Sequence, residues 1–218
     1  MEFFLNLLRS VAYGIIEGVT EWLPISSTGH MILAEQVLKF SFSAEFMEMF
    51  RVVIQLGAIL AVVVLYFKKL WPFCADNGRD SGFSRHFRWP VVRLWCKIIV
   101  ACVPAAVLGL LLDDWLDAHL YNSITVALML IIYGIAFILI ERRPRVPTTT
   151  KLSRITYKQA LIVGAWQVLA LIPGTSRSGS TIIGGLLCGM SRPAASQFTF
   201  FLAIPVMAGA SGLKLVKF

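Results

Sequence analysis

Four stretches of this chain, residues 49–67, 98–112, 124–140 and 194–213, are almost wholly apolar. Each approaches the ~20 residues a helix needs to cross about 30 Å of hydrocarbon. This constrains the fold more than any other feature, because in lipid every backbone N–H and C=O must be satisfied within a helix or a closed barrel. A barrel would show alternating segments of about ten residues, and the sequence has none. The chain has 218 residues, 57% hydrophobic and 15% charged; soluble domains are about 45–50% apolar and ~25% charged. The expected class is all-α, a polytopic membrane helical bundle. The first span is interrupted only by Arg51 and Gln55. The second, beginning nearer Val91, carries Pro104, and the fourth contains Pro205.

Two other regions are shorter. Residues 3–16 and 31–38 flank a polar island, Glu17-Gly-Val-Thr-Glu21-Trp-Leu-Pro24-Ile-Ser26-Ser27-Thr28-Gly-His30. Residues 159–172 and 182–190 flank a second, Pro173-Gly174-Thr175-Ser176-Arg177-Ser178-Gly179-Ser180-Thr181. Apolar segments of about 10–14 residues favour re-entrant or interfacial helices. Each region is expected to be a helix–loop–helix hairpin dipping into the membrane. Glu17 and Glu21 stand where a signal peptide would need its small-residue cleavage site, so the first hydrophobic stretch does not read as one. Cys74, Cys96, Cys102 and Cys188 form no C-x-x-C pair and read as small packing residues.

The net charge of +8 could suggest nucleic acid, but the basic residues gather in two loops between spans, as the positive-inside rule requires. Loop 68–93 holds Lys68, Lys69, Arg79, Arg85, Arg88 and Arg93 against Asp76 and Asp80; loop 141–158 holds Arg142, Arg143, Arg145, Lys151, Arg154 and Lys158. Both are expected on the cytoplasmic side, with Asp113, Asp114 and Asp117 outside. The first hairpin then enters from outside and the second from the cytoplasm.

The sequence also hints at a repeat. Pro24-Ile-Ser-Ser-Thr-Gly aligns with Pro173-Gly-Thr-Ser-Arg-Ser at an offset of 173 − 24 = 149. Weak internal similarity with opposite membrane orientation is the mark of an inverted repeat with a midplane site. Repeat one would span about 1–120 and repeat two about 121–218 within a single membrane domain. At this offset the partner of residues 98–112 would begin near 98 + 149 = 247, so the second repeat is expected to be incomplete.

Ionisable groups at membrane depth are expensive and mark functional sites. Glu17 and Glu21, four apart, share one helix face. Two such carboxylates can hold a hard divalent cation, or one can act as a general base; at a wet helix end they would simply be solvated. Ser26, Ser27, Thr28 and Gly29 precede a short helix, where amides attract anions and hydroxyls serve as caps. His30 could activate a serine or attack phosphorus itself. Gly174 and Gly179 permit a tight turn and close backbone approach. Arg177, flanked by Thr175, Ser176 and Ser178, suits a forked grip on phosphate; the alternative is snorkelling to the interface. Arg51 and Gln55, one turn apart, could face the site, with the outer interface as the alternative for Arg51, and Gln167 is a polar residue within a half-helix that could face the second loop.

These two motifs, with Val53-Ile-Gln-Leu-Gly-Ala-Ile-Leu-Ala-Val-Val-Val64, resemble those of the bacterial undecaprenyl-diphosphate phosphatases, the integral-membrane family linked to bacitracin resistance. The resemblance runs from near Val11 to Lys217. It implies hydrolysis of undecaprenyl diphosphate to the monophosphate, recycling the carrier lipid for peptidoglycan synthesis. It also implies a divalent cation, magnesium or calcium, and a multi-pass protein of the bacterial inner membrane with a site open to the periplasm. The family's functional residues fall on Glu17, Glu21, Ser27, His30 and Arg177.

The expected machinery is therefore Glu21, Ser27, His30 and Arg177 as catalytic residues. Ser26, Thr28, Gly174, Thr175, Ser176 and Ser178 are expected on substrate phosphate, and Glu17 with Glu21 on the metal. Ser27 or a water attacks; His30 serves as base, leaving-group acid or direct nucleophile. Expected partners are a polyprenyl diphosphate and membrane lipids, without nucleic acid, as a monomer or homodimer. A rival reading is a secondary transporter or lipid flippase, since inverted repeats with paired re-entrant loops are typical of transporters. A different membrane phosphatase class shares the Ser-Thr-Gly-His fragment, but its downstream His-x-x-x-Asp does not follow Arg177.

Overall fold

A computed structural model describes residues 2–74, 86–120, 122–142 and 146–217. Among the described residues ten α-helices run in chain order: α1 (Glu2–Thr20), α2 (Ser27–Leu38), α3 (Ala44–Val53), α4 (Gln55–Leu65), α5 (Phe67–Leu70), α6 (Trp89–Leu120), α7 (Ser123–Glu141), α8 (Tyr157–Val168), α9 (Arg177–Leu187) and α10 (Arg192–Lys217). Short 3-10 turns sit at Leu152–Arg154 and Leu169–Leu171. Among the described residues, extended pairing is limited to the isolated bridges Phe73–Phe87 and Thr149–Met190.

Among the described residues, four segments are long and apolar enough to cross a membrane: Ala44–Leu65, Trp89–Leu112, Ile124–Glu141 and Arg192–Val216. They coincide with the four runs in the sequence, and the chain is a multi-pass membrane protein. The first is built from α3 and α4, separated at Ile54, which keeps helical dihedrals. The second and fourth tolerate Pro104 and Pro205 within α6 and α10.

The short segments pair as two hairpins, α1 with α2 and α8 with α9. The first helix is longer than the apolar run 3–16 predicts. Its 19 residues extend through Glu17 to Thr20, because Tyr13, Glu17 and Thr20 continue one buried face at helical spacing. The first polar loop therefore starts at Glu21. Of the charges that suggest orientation, Asp76, Arg79, Asp80, Arg85, Arg143 and Arg145 lie outside the described residues, as do the side chains of Asp113, Asp114 and Asp117.

Helix α10 is the hub, packing on α3, α4, α6 and α9. Its Phe198, Phe201, Leu202 and Ala203 are wholly buried. Helices α6 and α8 approach so closely that a Cβ on Gly164 would lie 2.3 Å from the Ala101 carbonyl oxygen, so only glycine fits there. A separate cluster of Tyr13, Met31 and Met47 locks α1, α2 and α3. Within it the Tyr13 hydroxyl donates to Glu35 Oε1, and Arg51 Nε lies 3.5 Å from the same oxygen. Arg51 thus closes this lock and does not line the site.

Candidate active site

The two polar islands meet. Both α2 and α9 begin at the same place, each with a serine cap: Ser26 Oγ accepts from Gly29 N, and Ser176 Oγ accepts from Gly179 N. The matching caps are 176 − 26 = 150 residues apart, as are the two glycines at 179 − 29 = 150. The structural correspondence is therefore one residue longer than the sequence offset of 149, and it sets Ser27 against Arg177. Ser26 adopts φ 64°, the left-handed region that a non-glycine residue rarely occupies and that concentrates at functional sites. Gly174 has φ +87°, and a Cβ there would meet the Val126 backbone at 2.6 Å. That turn brings the second island tight against α7.

Three side chains form the centre. Ser27 Oγ donates to Glu21 Oε2 at 2.6 Å, and Arg177 Nη2 donates to Glu21 Oε1 at 2.7 Å. Glu21 and Arg177 are 5% and 12% exposed, so the pair is nearly out of water and each charge depends on the other. Arg177 still has two uncommitted donors, since Nε and Nη1 are buried without a partner. The Ser178 hydroxyl donates to the Leu23 carbonyl at 3.3 Å, a second tie between the islands.

This centre opens on a cavity of about 650 Å³. Its polar end carries Glu21, Ser26, Ser27, Thr28, Gln55, Gln167 and Thr175 to Ser178; its walls are apolar and come from α6, α10 and the turn after α8. A hydroxyl bonded to a carboxylate is arranged to give up its proton. An arginine with free donors beside it can receive a phosphate.

The remaining candidates stand differently. Glu17 is 1% exposed, lies one turn behind Glu21 without lining the cavity, and leaves Oε1 unpartnered. His30 is half-buried outside the lining, with Nδ1 2.9 Å from the Ser26 carbonyl oxygen; the bond expected between His30 and a serine hydroxyl is made by Glu21 instead. Gly174 shapes the loop without lining the cavity. Gln55, which the sequence offered as able to face the site, and Gln167, offered as able to face the second loop, both line it.

The chain is 60% identical over 217 residues to an undecaprenyl-diphosphatase of Enterococcus faecalis, covering 99% of this chain and 76% of the relative. It is 58% identical over 219 residues to one of Desulfitobacterium hafniense, covering 98% and 76%. A third, from Streptococcus sanguinis, is 56% identical over 218 residues, covering 99% and 76%. The family model for the bacitracin resistance protein BacA matches residues 10–218. With both islands, their shared cavity and these matches in agreement, the chain belongs to the BacA bacitracin resistance family.

Proposed function

We propose that the protein hydrolyses undecaprenyl diphosphate to undecaprenyl phosphate and inorganic phosphate, the activity named for its relatives. One observation carries the reading: Ser27, Glu21 and Arg177 are linked in series at the polar end of an apolar-walled cavity. Lipid tail and charged head each have a matching surface.

In this mechanism the free Nε and Nη1 of Arg177 bind oxygens of the distal phosphate and stabilise the charge that develops there. Ser27 Oγ attacks the distal phosphorus while its proton passes to Glu21. The bond between that phosphorus and the bridging oxygen breaks, and the lipid leaves as its monophosphate, taking the proton from Glu21. A water then gives a proton to the regenerated Glu21 carboxylate and attacks the phosphoserine at position 27; phosphate departs and Glu21 returns the proton to Ser27 Oγ. His30 orients the loop through the Ser26 carbonyl. The amide ends of α2 and α9, fixed by Ser26 and Ser176, add positive potential beside Thr28, Thr175 and Ser178.

The resemblance implies a divalent cation, magnesium or calcium. Hard cations take oxygen ligands, often one or two carboxylates plus substrate phosphates. Glu17 Oε1 is a buried acceptor without a donor, which fits such an ion. Glu21 has both oxygens committed and would join only by releasing Arg177 or Ser27. No cluster of three or more His, Cys, Asp or Glu occurs among the described residues, so substrate oxygens would complete the coordination. When bound, the cation would neutralise phosphate charge.

The bacterial plasma membrane is the proposed location, with the site opening to the periplasm. Exposed Lys68, Lys69, Lys151, Arg154 and Lys158 support that orientation. The loops bearing them meet at one end of the bundle, where Leu70, Leu94 and Ile155 share a hydrophobic cluster. The hairpins would then form an inverted repeat around the site.

Purified protein in detergent should release phosphate from undecaprenyl diphosphate, with a phosphoserine at position 27 trapped by rapid quenching. Ser27→Ala should abolish both signals. Turnover without an adduct would transfer the attack to water, and no turnover in detergent would favour the transporter reading.

A further inference from the structure

A second set of polar atoms stands in the cavity apart from the Glu21–Arg177–Ser27 series. Gln167 is 2% exposed, and neither its Oε1 nor its Nε2 has a partner. Thr175 is 8% exposed, and its Oγ1 is unpartnered too. Both residues line the cavity. Buried polar atoms are nearly always hydrogen-bonded, and leaving one unpaired costs stability. Three such atoms in the lining of one cavity fit a ligand that is not part of the chain.

Their place in the fold indicates which part of a ligand they meet. Gln167 lies one turn before Ala170 and Leu171, which begin the apolar wall, and its helix packs on α6, whose Ala105 and Gly109 continue that wall. Ser27 and Arg177 are both held by Glu21, just past the end of α1, and Arg177 Nη2 lies 3.8 Å from Met207 Sδ of α10. A lipid diphosphate with its distal phosphate on Arg177 and its tail on the α6 wall carries its proximal phosphate between them. The groups offered there are neutral. An amide N–H and a hydroxyl can donate to phosphate oxygens without adding charge, so they hold this phosphate less firmly than a second arginine would. That matters because this phosphate leaves with the product.

We infer that Gln167 and Thr175 form a neutral subsite for the phosphate that stays on the lipid, so that the cavity recognises two linked phosphates rather than one. This rests on the diphosphatase reading. Gln167 Nε2 and Thr175 Oγ1 donate to its oxygens, and Gln167 Oε1 accepts from a protonated oxygen or from its hydrating water. Both are positioning residues for substrate; neither takes a proton in the reaction.

The test is calorimetric titration of detergent-solubilised protein with methylenediphosphonate, which has two linked phosphoryl groups, and with inorganic phosphate, which has one. The wild type should bind the diphosphonate at least about tenfold more tightly, the gain expected of one or two good hydrogen bonds. Gln167→Met and the near-isosteric Thr175→Val should each bring that ratio towards one through lost diphosphonate affinity, with the phosphate Kd within about twofold of wild type. With undecaprenyl diphosphate the variants should raise KM more than they lower kcat. The unfolding midpoint of Gln167→Met should hold or rise, because the atoms removed had no partner in the protein.

An unchanged ratio, equal weakening towards both ligands, or a wild type that binds both alike would overturn the inference. A lowered midpoint in both variants would also do so, since these atoms would then be part of a hydrated scaffold. If Gln167→Met does not fold, Thr175→Val decides the question alone. Failure of the underlying reading is seen separately, as wild-type protein that releases no phosphate from undecaprenyl diphosphate.

Discussion

Arg177 serves two acceptors at once. One nitrogen holds Glu21, and two others remain free towards the cavity. A lysine has a single nitrogen and no planar fork, so it cannot copy this arrangement. Arg177→Lys is expected to keep a cation beside Glu21, and so to fold, while losing about 100-fold or more in kcat/KM. Arg177→Ala should do worse on both counts, because an uncompensated buried Glu21 costs about 3–5 kcal/mol. Phosphate release and thermal unfolding, measured on the same preparations, check the pair. At this scale the sequence was legible where chemistry stood out against apolar surroundings: Arg177 and the Glu17–Glu21 pair could be singled out from their company, while Ser27 was picked from its neighbouring hydroxyls by the family resemblance. The bond partners were not. Arg177 and Glu21 are 156 positions apart, and only the meeting of two hairpins makes them neighbours. His30 shows the reverse: three residues from Ser27, it is turned to the Ser26 carbonyl.

Among the elements, the tightest contact is between α6 and α8. Gly164→Ala would drive a methyl group into the Ala101 backbone, where no side chain can move aside. The expected cost is about 2–4 kcal/mol from overpacking and displaced backbone, seen as a lower unfolding midpoint in detergent, with activity lost because α8 carries Gln167. The spans were legible because hydrophobic length is a local property. The extent of α1 was not, since Glu17 and Thr20 are polar and look like loop until their burial on the Tyr13 face is seen. The lock of Tyr13, Glu35 and Arg51 was hidden for a similar reason. Its members lie on three helices, and each alone reads as an ordinary membrane-edge residue. Tyr13→Phe should lower stability by about 1 kcal/mol, leaving Glu35 to Arg51 alone, with little change in kcat.

For the molecule as a whole, the proposed orientation can be tested directly. Single cysteines placed at Lys151 and at Asn122, in a background lacking the four native cysteines, should label from opposite sides with a membrane-impermeant thiol reagent. Lys151 is expected to label only after the inner face is exposed, and Asn122 in intact spheroplasts. The reverse pattern would turn the proposed opening towards the cytoplasm.

Two bonds, Arg177 to Glu21 and Ser178 to the Leu23 carbonyl, join the two helix pairs at their polar loops. If the halves rocked against each other to carry a solute across, as alternating access requires, both would break in every cycle and leave buried charge bare. The hairpins are therefore clasped, a design suited to holding still. Substrate would find its anion seat already assembled, and the energy of gripping the head could go to the reacting phosphorus rather than to closing a gate.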